Sequence, residues 1–294
     1  MNRLRLIAII ELTLAVIAWG GSFVATKIAV QEIPPALVVW LRFAIGVLIL
    51  GFAVIVRRQF IPPHRKDLLY FALLGFLGIT FHQWLQSTGL LTAQATTTAW
   101  IVATTPVFMA LLGWAILREK MLNWQWWGIG LAALGVLLVV SQGDLTAMFQ
   151  GNFGSPGDFL ILISSANWAV FSALSRRGLR KYPATLMIFY VMTIGWLMST
   201  VLVLIGPGLA PVSQLSQAGW LAVGFLGVFC SGLAYIFWYD GLKILPVGQA
   251  GAFIYLEPFV TVIVAALLLQ EPFGWSSMVG GGLILVGVWL VQKQ

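Results

Sequence analysis

Long apolar runs alternate along the chain with short stretches rich in charge, Pro and Gly. The pattern predicts membrane-spanning helices at about residues 7–30, 35–56, 68–90, 95–117, 124–141, 157–176, 185–205, 217–239, 248–269 and 273–291. Runs of about 20 apolar residues at about 1.5 Å rise each cross a hydrocarbon core of about 30 Å. Ten such spans use nearly all of the 294 residues, so the expected fold is an all-α integral membrane protein without a soluble domain. Composition agrees, with 60% hydrophobic and 9% charged residues and a mean hydropathy of +0.97. An ordinary soluble domain is about one-quarter charged. The first run follows Arg3 and Arg5 as a signal peptide would, but it continues through Lys27 without a small-residue cleavage site and is expected to stay as the first helix.

Charge sets the expected orientation. Arg3, Arg5, Arg57, Arg58, Arg65, Lys66, Arg118, Lys120, Arg176, Arg177, Arg180, Lys181, Lys243 and Lys293 all fall in links on one side of a ten-span topology. The positive-inside rule then puts both termini in the cytoplasm, and the net charge of +7 marks topology rather than nucleic-acid binding. The single Cys230 lies within a span and is expected to be a small buried residue.

The chain also repeats itself. Gly89, Pro106, Glu119, Gly128, Gly130 and Gly135 recur 152 positions later as Gly241, Pro258, Glu271, Gly280, Gly282 and Gly287. Trp19 with Lys27 matches Trp168 with Arg176, and Gly75-Phe76-Leu77-Gly78 matches Gly224-Phe225-Leu226-Gly227. Two five-span copies are therefore expected, at 1–141 and 157–294, joined by a 142–156 link that contains Gly151, Ser155 and Pro156. An odd number of spans per copy inverts the second copy, a plan that secondary transporters use for alternating access around a midplane site.

Trp19-Gly20-Gly21-Ser22-Phe23 with Lys27, then Pro35 and Leu41-Arg42-Phe43, resembles the opening of the drug/metabolite transporter superfamily, ten-helix EamA type. The Pro106-to-Glu119 and Pro258-to-Glu271 tails are similar to that family's repeat signature. Members include exporters of amino acids, among them aromatic amino-acid exporters of the YddG kind, and exporters of other small metabolites. The resemblance implies a two-repeat carrier in the inner membrane, with a central cavity built mainly from helices 1, 3, 4, 6, 8 and 9.

That resemblance, with helical spacing, nominates the residues that bind substrate. Trp19 and Ser22 lie on helix 1, where a small-residue face is equally suited to close helix packing. His82, Gln83 and Gln86 crowd one and a half turns of helix 3, as either interhelical hydrogen-bonding groups or substrate contacts. Trp100, Asn167, Trp168, Tyr235 and Tyr239 add aromatic and polar groups at mid-depth, suiting an amphipathic solute. Trp124, Trp126, Trp127 and Trp275 sit at span ends as interfacial anchors, and Lys27 is expected to snorkel to water. Pro106 and Pro258 are the expected hinges, because each removes a backbone donor inside a span.

Glu257 stands out, at about 14 Å from Gly248 along the helix and thus near the bilayer middle. It has three readings: a structural pair with Arg42, contact with a substrate amino group, or a proton-coupling carboxylate. An enzyme is a weak rival, since Ser231 and His82 are supported as a dyad only by residue type. The other histidine, His64, lies in a basic link, so no metal site is expected. With no Gly-x-x-x-x-Gly-Lys-[Ser/Thr] loop, no cofactor is expected either. The expected partners are a small-molecule solute and the lipid bilayer, with no nucleic acid, and the oligomeric state is open.

Overall fold

The computed structural model describes residues 3–118, 120–144, 146, 154–245, 247–272 and 274–293. Among them ten helices are long and apolar enough to cross a membrane: α1 (Arg3–Val30), α2 (Pro35–Val56), α3 (Arg65–Gly89), α4 (Ala95–Ile116), α5 (Asn123–Val140), α6 (Pro156–Leu179), α7 (Ala184–Ile205), α8 (Gln217–Ile244), α9 (Gln249–Leu268) and α10 (Trp275–Gln292). The expected spans are all present. α1 begins at Arg3 rather than at 7, and α8 runs on to Ile244 rather than ending at 239. Glu119, and Gly151 with most of the 142–156 link, lie outside the described residues. The outer surface is apolar where a soluble protein would be polar, with Leu69, Ile205 and Leu267 each at least 75% exposed, as lipid-facing residues must be.

Helix ends follow local chemistry. Pro35 and Pro156 occupy first-turn positions, where a missing N–H costs nothing. Ser155 and Asp158 form a capping box at the start of α6, with the Ser155 N–H donating to Asp158 Oδ2 at 2.7 Å. Ser216 caps α8 by accepting the Gly219 N–H at 3.1 Å.

Four helices are irregular at mid-depth, in matching places of the two halves. α3 contains a π-helical segment at Phe76–Phe81 and α8 another at Leu226–Leu233. α4 breaks at Ala103–Thr104 ahead of Pro106, and α9 tightens to a 3-10 turn at Ile254–Leu256 ahead of Pro258. Each break handles its freed carbonyl locally, as a membrane interior demands. Thr105 Oγ1 donates to the Val102 carbonyl, four residues before Pro106, at 2.7 Å. The Glu257 N–H donates to the Ile254 carbonyl, four residues before Pro258.

α1 packs against α8 and α9, α6 against α3 and α4, α2 against α7 and α8, α4 against α9, and α5 against α10. Small residues permit the closest contacts. A Cβ on Gly20 would meet the Glu257 carbonyl oxygen at 2.8 Å, so α1 and α9 touch backbone to backbone. The α5–α10 seam is closer still: a Cβ on Gly128 would meet the Gly287 carbonyl at 2.6 Å, and one on Gly135 the Gly280 carbonyl at 2.5 Å.

Ten crossings put the start of α1 and the end of α10 on one side of the molecule, here the terminal side. On that side Arg57 and Lys243 pair with Asp240 at 2.5 and 2.8 Å, and Lys181 pairs with Asp67.

Candidate functional site

The broken segments of α4, α8 and α9 and the part of α3 just past its π segment line a cavity of about 260 Å³, whose wall is completed by α1, α2, α6 and α10. It reaches from Gln292, the last residue of α10, inward to Ser22 and Phe23 on α1, so it extends toward the terminal side.

Two aromatic groups form the apolar part of its wall. Trp19 meets Tyr235 edge to face at 5.7 Å and Trp238 at 5.3 Å, and its indole N–H donates to the Cys230 carbonyl at 3.2 Å within the π segment of α8. Across α3 and α6, Trp168 lies 4.7 Å from the His82 ring and 4.7 Å from Phe171. His82 Nδ1 is 3.1 Å from the Ser164 carbonyl, which fixes the imidazole plane.

The polar part centres on one basic and one acidic residue. Arg42 is 5% exposed. Its Nε donates to Ser231 Oγ at 3.0 Å, its Nη1 donates to Gln83 Oε1 at 3.1 Å, and its guanidinium lies 5.1 Å from the Phe43 ring centroid. The Glu257 carboxylate has no hydrogen-bonding or ion-pairing partner among the described residues. The two side chains line the same cavity without pairing with each other, unlike the structural-pair reading of Glu257.

Most nominated residues come together here. Trp19, Ser22, His82, Gln83, Gln86, Trp168, Tyr235 and Glu257 line the cavity, and so does Pro106. Trp100, Asn167, Tyr239 and Pro258 lie off its wall. Trp100 donates from its indole N–H to Ser277 Oγ at 3.0 Å and lies flat on Gly281, against α10. Asn167 Nδ2 donates to the Leu77 carbonyl at 2.8 Å, bracing the π segment of α3. Tyr239 packs behind the wall into a cluster that includes Phe71 and Tyr182 and that the cavity-lining Trp168 and Tyr235 also join. Pro258 is buried at the start of the second half of α9. The nominations did not include Arg42, Thr105, Tyr255 or Gln292 as lining residues. The clue for Tyr255 is its place one turn before Pro258, and for Arg42 its charge inside an apolar run.

At the end away from the terminal side, polar contacts tie links to helix starts. Glu271 accepts the backbone N–H groups of Ala95 at 2.7 Å and Thr96 at 2.9 Å, at the start of α4. Lys27 donates to the Ala93 carbonyl instead of snorkelling freely to water. Glu32 Oε2 accepts the Ser216 N–H at 2.7 Å and Oε1 accepts the Ser216 hydroxyl at 2.6 Å, which holds the Glu32 carboxyl below its ordinary value. Gly157 N–H donates to Thr92 Oγ1 at 2.9 Å.

Two stretches, residues 6–141 and 155–292, match the model of the EamA-like transporter family. An "Uncharacterized transporter" of Archaeoglobus fulgidus is 28% identical over 283 residues, covering 96% of each chain. The "Uncharacterized transporter YyaM" of Bacillus subtilis is 28% identical over 273 residues, covering 92% of this chain and 88% of its own. The "Uncharacterized inner membrane transporter YedA" of Escherichia coli K12 is 28% identical over 283 residues, covering 94% of this chain and 87% of its own. A solved crystal structure with 20% sequence identity superposes with a TM-score of 0.67 over 97% of this chain and 96% of that one, sharing the fold.

Proposed function

Because the chain belongs to the EamA-like transporter family, we propose that it is a secondary transporter of the inner membrane that exports amino acids, with aromatic ones among the candidates, or similar small amphipathic metabolites. The membrane assignment follows the E. coli relative's name, and positive-inside counting puts both termini in the cytoplasm. The observation that carries the reading is the cavity: its wall combines the aromatic Trp19 and Trp168 with Arg42 and Glu257, and it extends toward the terminal side. A few orienting polar groups in an apolar pocket suit a solute with one apolar and one charged end.

Alternating access by two inverted five-helix repeats, 1–141 and 157–294, is the proposed mechanism. It is supported by the paired irregularities of α3 with α8 and α4 with α9, and by the exchange of packing partners between α1 and α6. Pro106 and Pro258 let α4 and α9 bend as the site changes sides. Trp100, Asn167 and Tyr239 support the site from behind, and Glu257 is the substrate contact and the candidate for proton coupling.

The test is uptake and efflux of labelled amino acids in proteoliposomes, wild type beside Glu257→Gln, with and without an imposed pH gradient. Wild type is expected to move an aromatic or other apolar amino acid. A variant that binds the amino acid but loses the gradient response assigns coupling to Glu257. No movement of any amino acid would overturn the substrate class, and unchanged transport by the variant under both conditions would remove Glu257 from the mechanism.

A further inference from the structure

We infer that the cavity recognises its solute as a zwitterion, with Arg42 binding a carboxylate and Glu257 binding the ammonium of the same molecule. The inference rests on the cavity being the transport site and adds Arg42 to it as a substrate-binding residue.

Arg42 and Glu257 come from α2 and α9, line one cavity, and form no ion pair with each other or with any other described residue. Charges at membrane depth are costly and normally pair. The contacts Arg42 does make are to neutral oxygens, Ser231 Oγ and Gln83 Oε1. They orient the guanidinium without neutralising it. Those contacts engage two of the five N–H donors that an arginine offers. The donors on its Nη2 have no partner among the described residues, and the planar end of a guanidinium is the group best shaped to hold a carboxylate.

The fold supplies this orientation on purpose-shaped backbone. Ser231 sits in the π segment of α8, and Gln83 lies directly beyond the π segment of α3, so both irregular turns aim a side chain at the same guanidinium. Phe43 backs it at 5.1 Å. A solute carrying only an amine would leave Arg42 uncompensated, and one carrying only a carboxylate would leave Glu257 so. An amino acid carries both kinds of group on one molecule, and the Arg42 and Glu257 side chains both line the cavity it would occupy. Its side chain then has Trp19, Tyr235 and Trp168 of the cavity wall to pack against.

The test uses the full chain in proteoliposomes and two matched series: L-tryptophan, tryptamine and 3-indolepropionate; and L-leucine, isoamylamine and 4-methylvalerate. Wild type should prefer the amino acid over both one-charge analogues by about tenfold or more. Arg42→Gln should abolish the preference over the amine, and Glu257→Gln the preference over the acid, with melting temperature recorded for each variant. Wild type that moves the amino acid and its analogues equally overturns the zwitterion inference and leaves the transporter reading standing. Loss of both ratios to the same extent in either variant also overturns it. If Arg42→Gln fails to fold, the Glu257→Gln ratio decides alone, and an unchanged preference over the acid overturns the inference. Wild type that moves neither amino acid, although it reconstitutes folded, overturns the amino-acid reading on which the inference rests.

Discussion

Glu271 takes the Thr96 backbone N–H on one carboxylate oxygen at 2.9 Å while its other oxygen takes that of Ala95 at 2.7 Å. One side chain, from the link between α9 and α10, thus caps the first turn of α4 from the opposite half of the chain. A carboxylate at a helix N-terminus satisfies orphan donors and complements the helix dipole.

Removing it by Glu271→Ala should loosen the end away from the terminal side. A charged cap is worth about 1–2 kcal/mol, so opening at this end should become about 5- to 30-fold more populated. Ala93→Cys, buried beside Lys27 and introduced in a Cys230→Ser background, reports it through alkylation by a membrane-impermeant maleimide. An unchanged alkylation rate would show that the cap plays no part in closure.

Gly20→Ala should destabilise the protein by about 1–3 kcal/mol, because the new methyl meets the Glu257 carbonyl and the Val260 Cβ, both at 2.8 Å, and neither can swing away. Gly130→Ala, with open space around it, is the control and should melt at the wild-type temperature or slightly above. Thermal melting in detergent distinguishes the two.

Trp168→Ala and Trp100→Phe should behave differently. The first strips a cavity wall and is expected to raise the apparent KM about tenfold or more. The second removes the Ser277 hydrogen bond and the indole packing on Gly281 behind the wall, costing about 1–3 kcal/mol of stability with KM unchanged. Equal KM changes in the two variants would contradict the division between wall and support.

Glu32 should give that same end an acid-sensitive component. Its carboxyl is held below the ordinary 4.5 by the two Ser216 donors, so its contribution is present above that value and fades as pH falls through the depressed folded value. Glu32→Gln should therefore melt below wild type at neutral pH and converge with it in acid. A constant gap across that titration would count against the assignment.

Much of this architecture is legible in the sequence because membrane spans obey a length rule. Turns such as Ser155-Pro156 and prolines such as Pro106 mark helix ends and breaks at particular residues. The phase of side chains past a break is less legible. A π segment inserts a residue into a turn and rotates the rest of the helix beyond it, so spacing alone does not announce that Ser231 meets Arg42. Trp100 shares a helical face with Thr97 and Thr104 by spacing alone. The deciding fact is the bare backbone of Gly281 on α10, 181 residues away, which leaves a slot for the indole. The Glu271 cap joins positions from different halves of the chain, and no local pattern announces it.

The glycine seam between α5 and α10 carries a mechanical consequence. With carbonyls of Gly128, Gly135, Gly280 and Gly287 seated where side chains would be, the two helices interlock without a deformable layer between them. Sliding one past the other would drive backbone into backbone, whereas rotation about the seam leaves its contacts nearly unchanged. In the proposed alternating-access mechanism this seam is the spine about which the two halves would swing, and a bulky residue placed in it is expected to jam transport from a position remote from any solute.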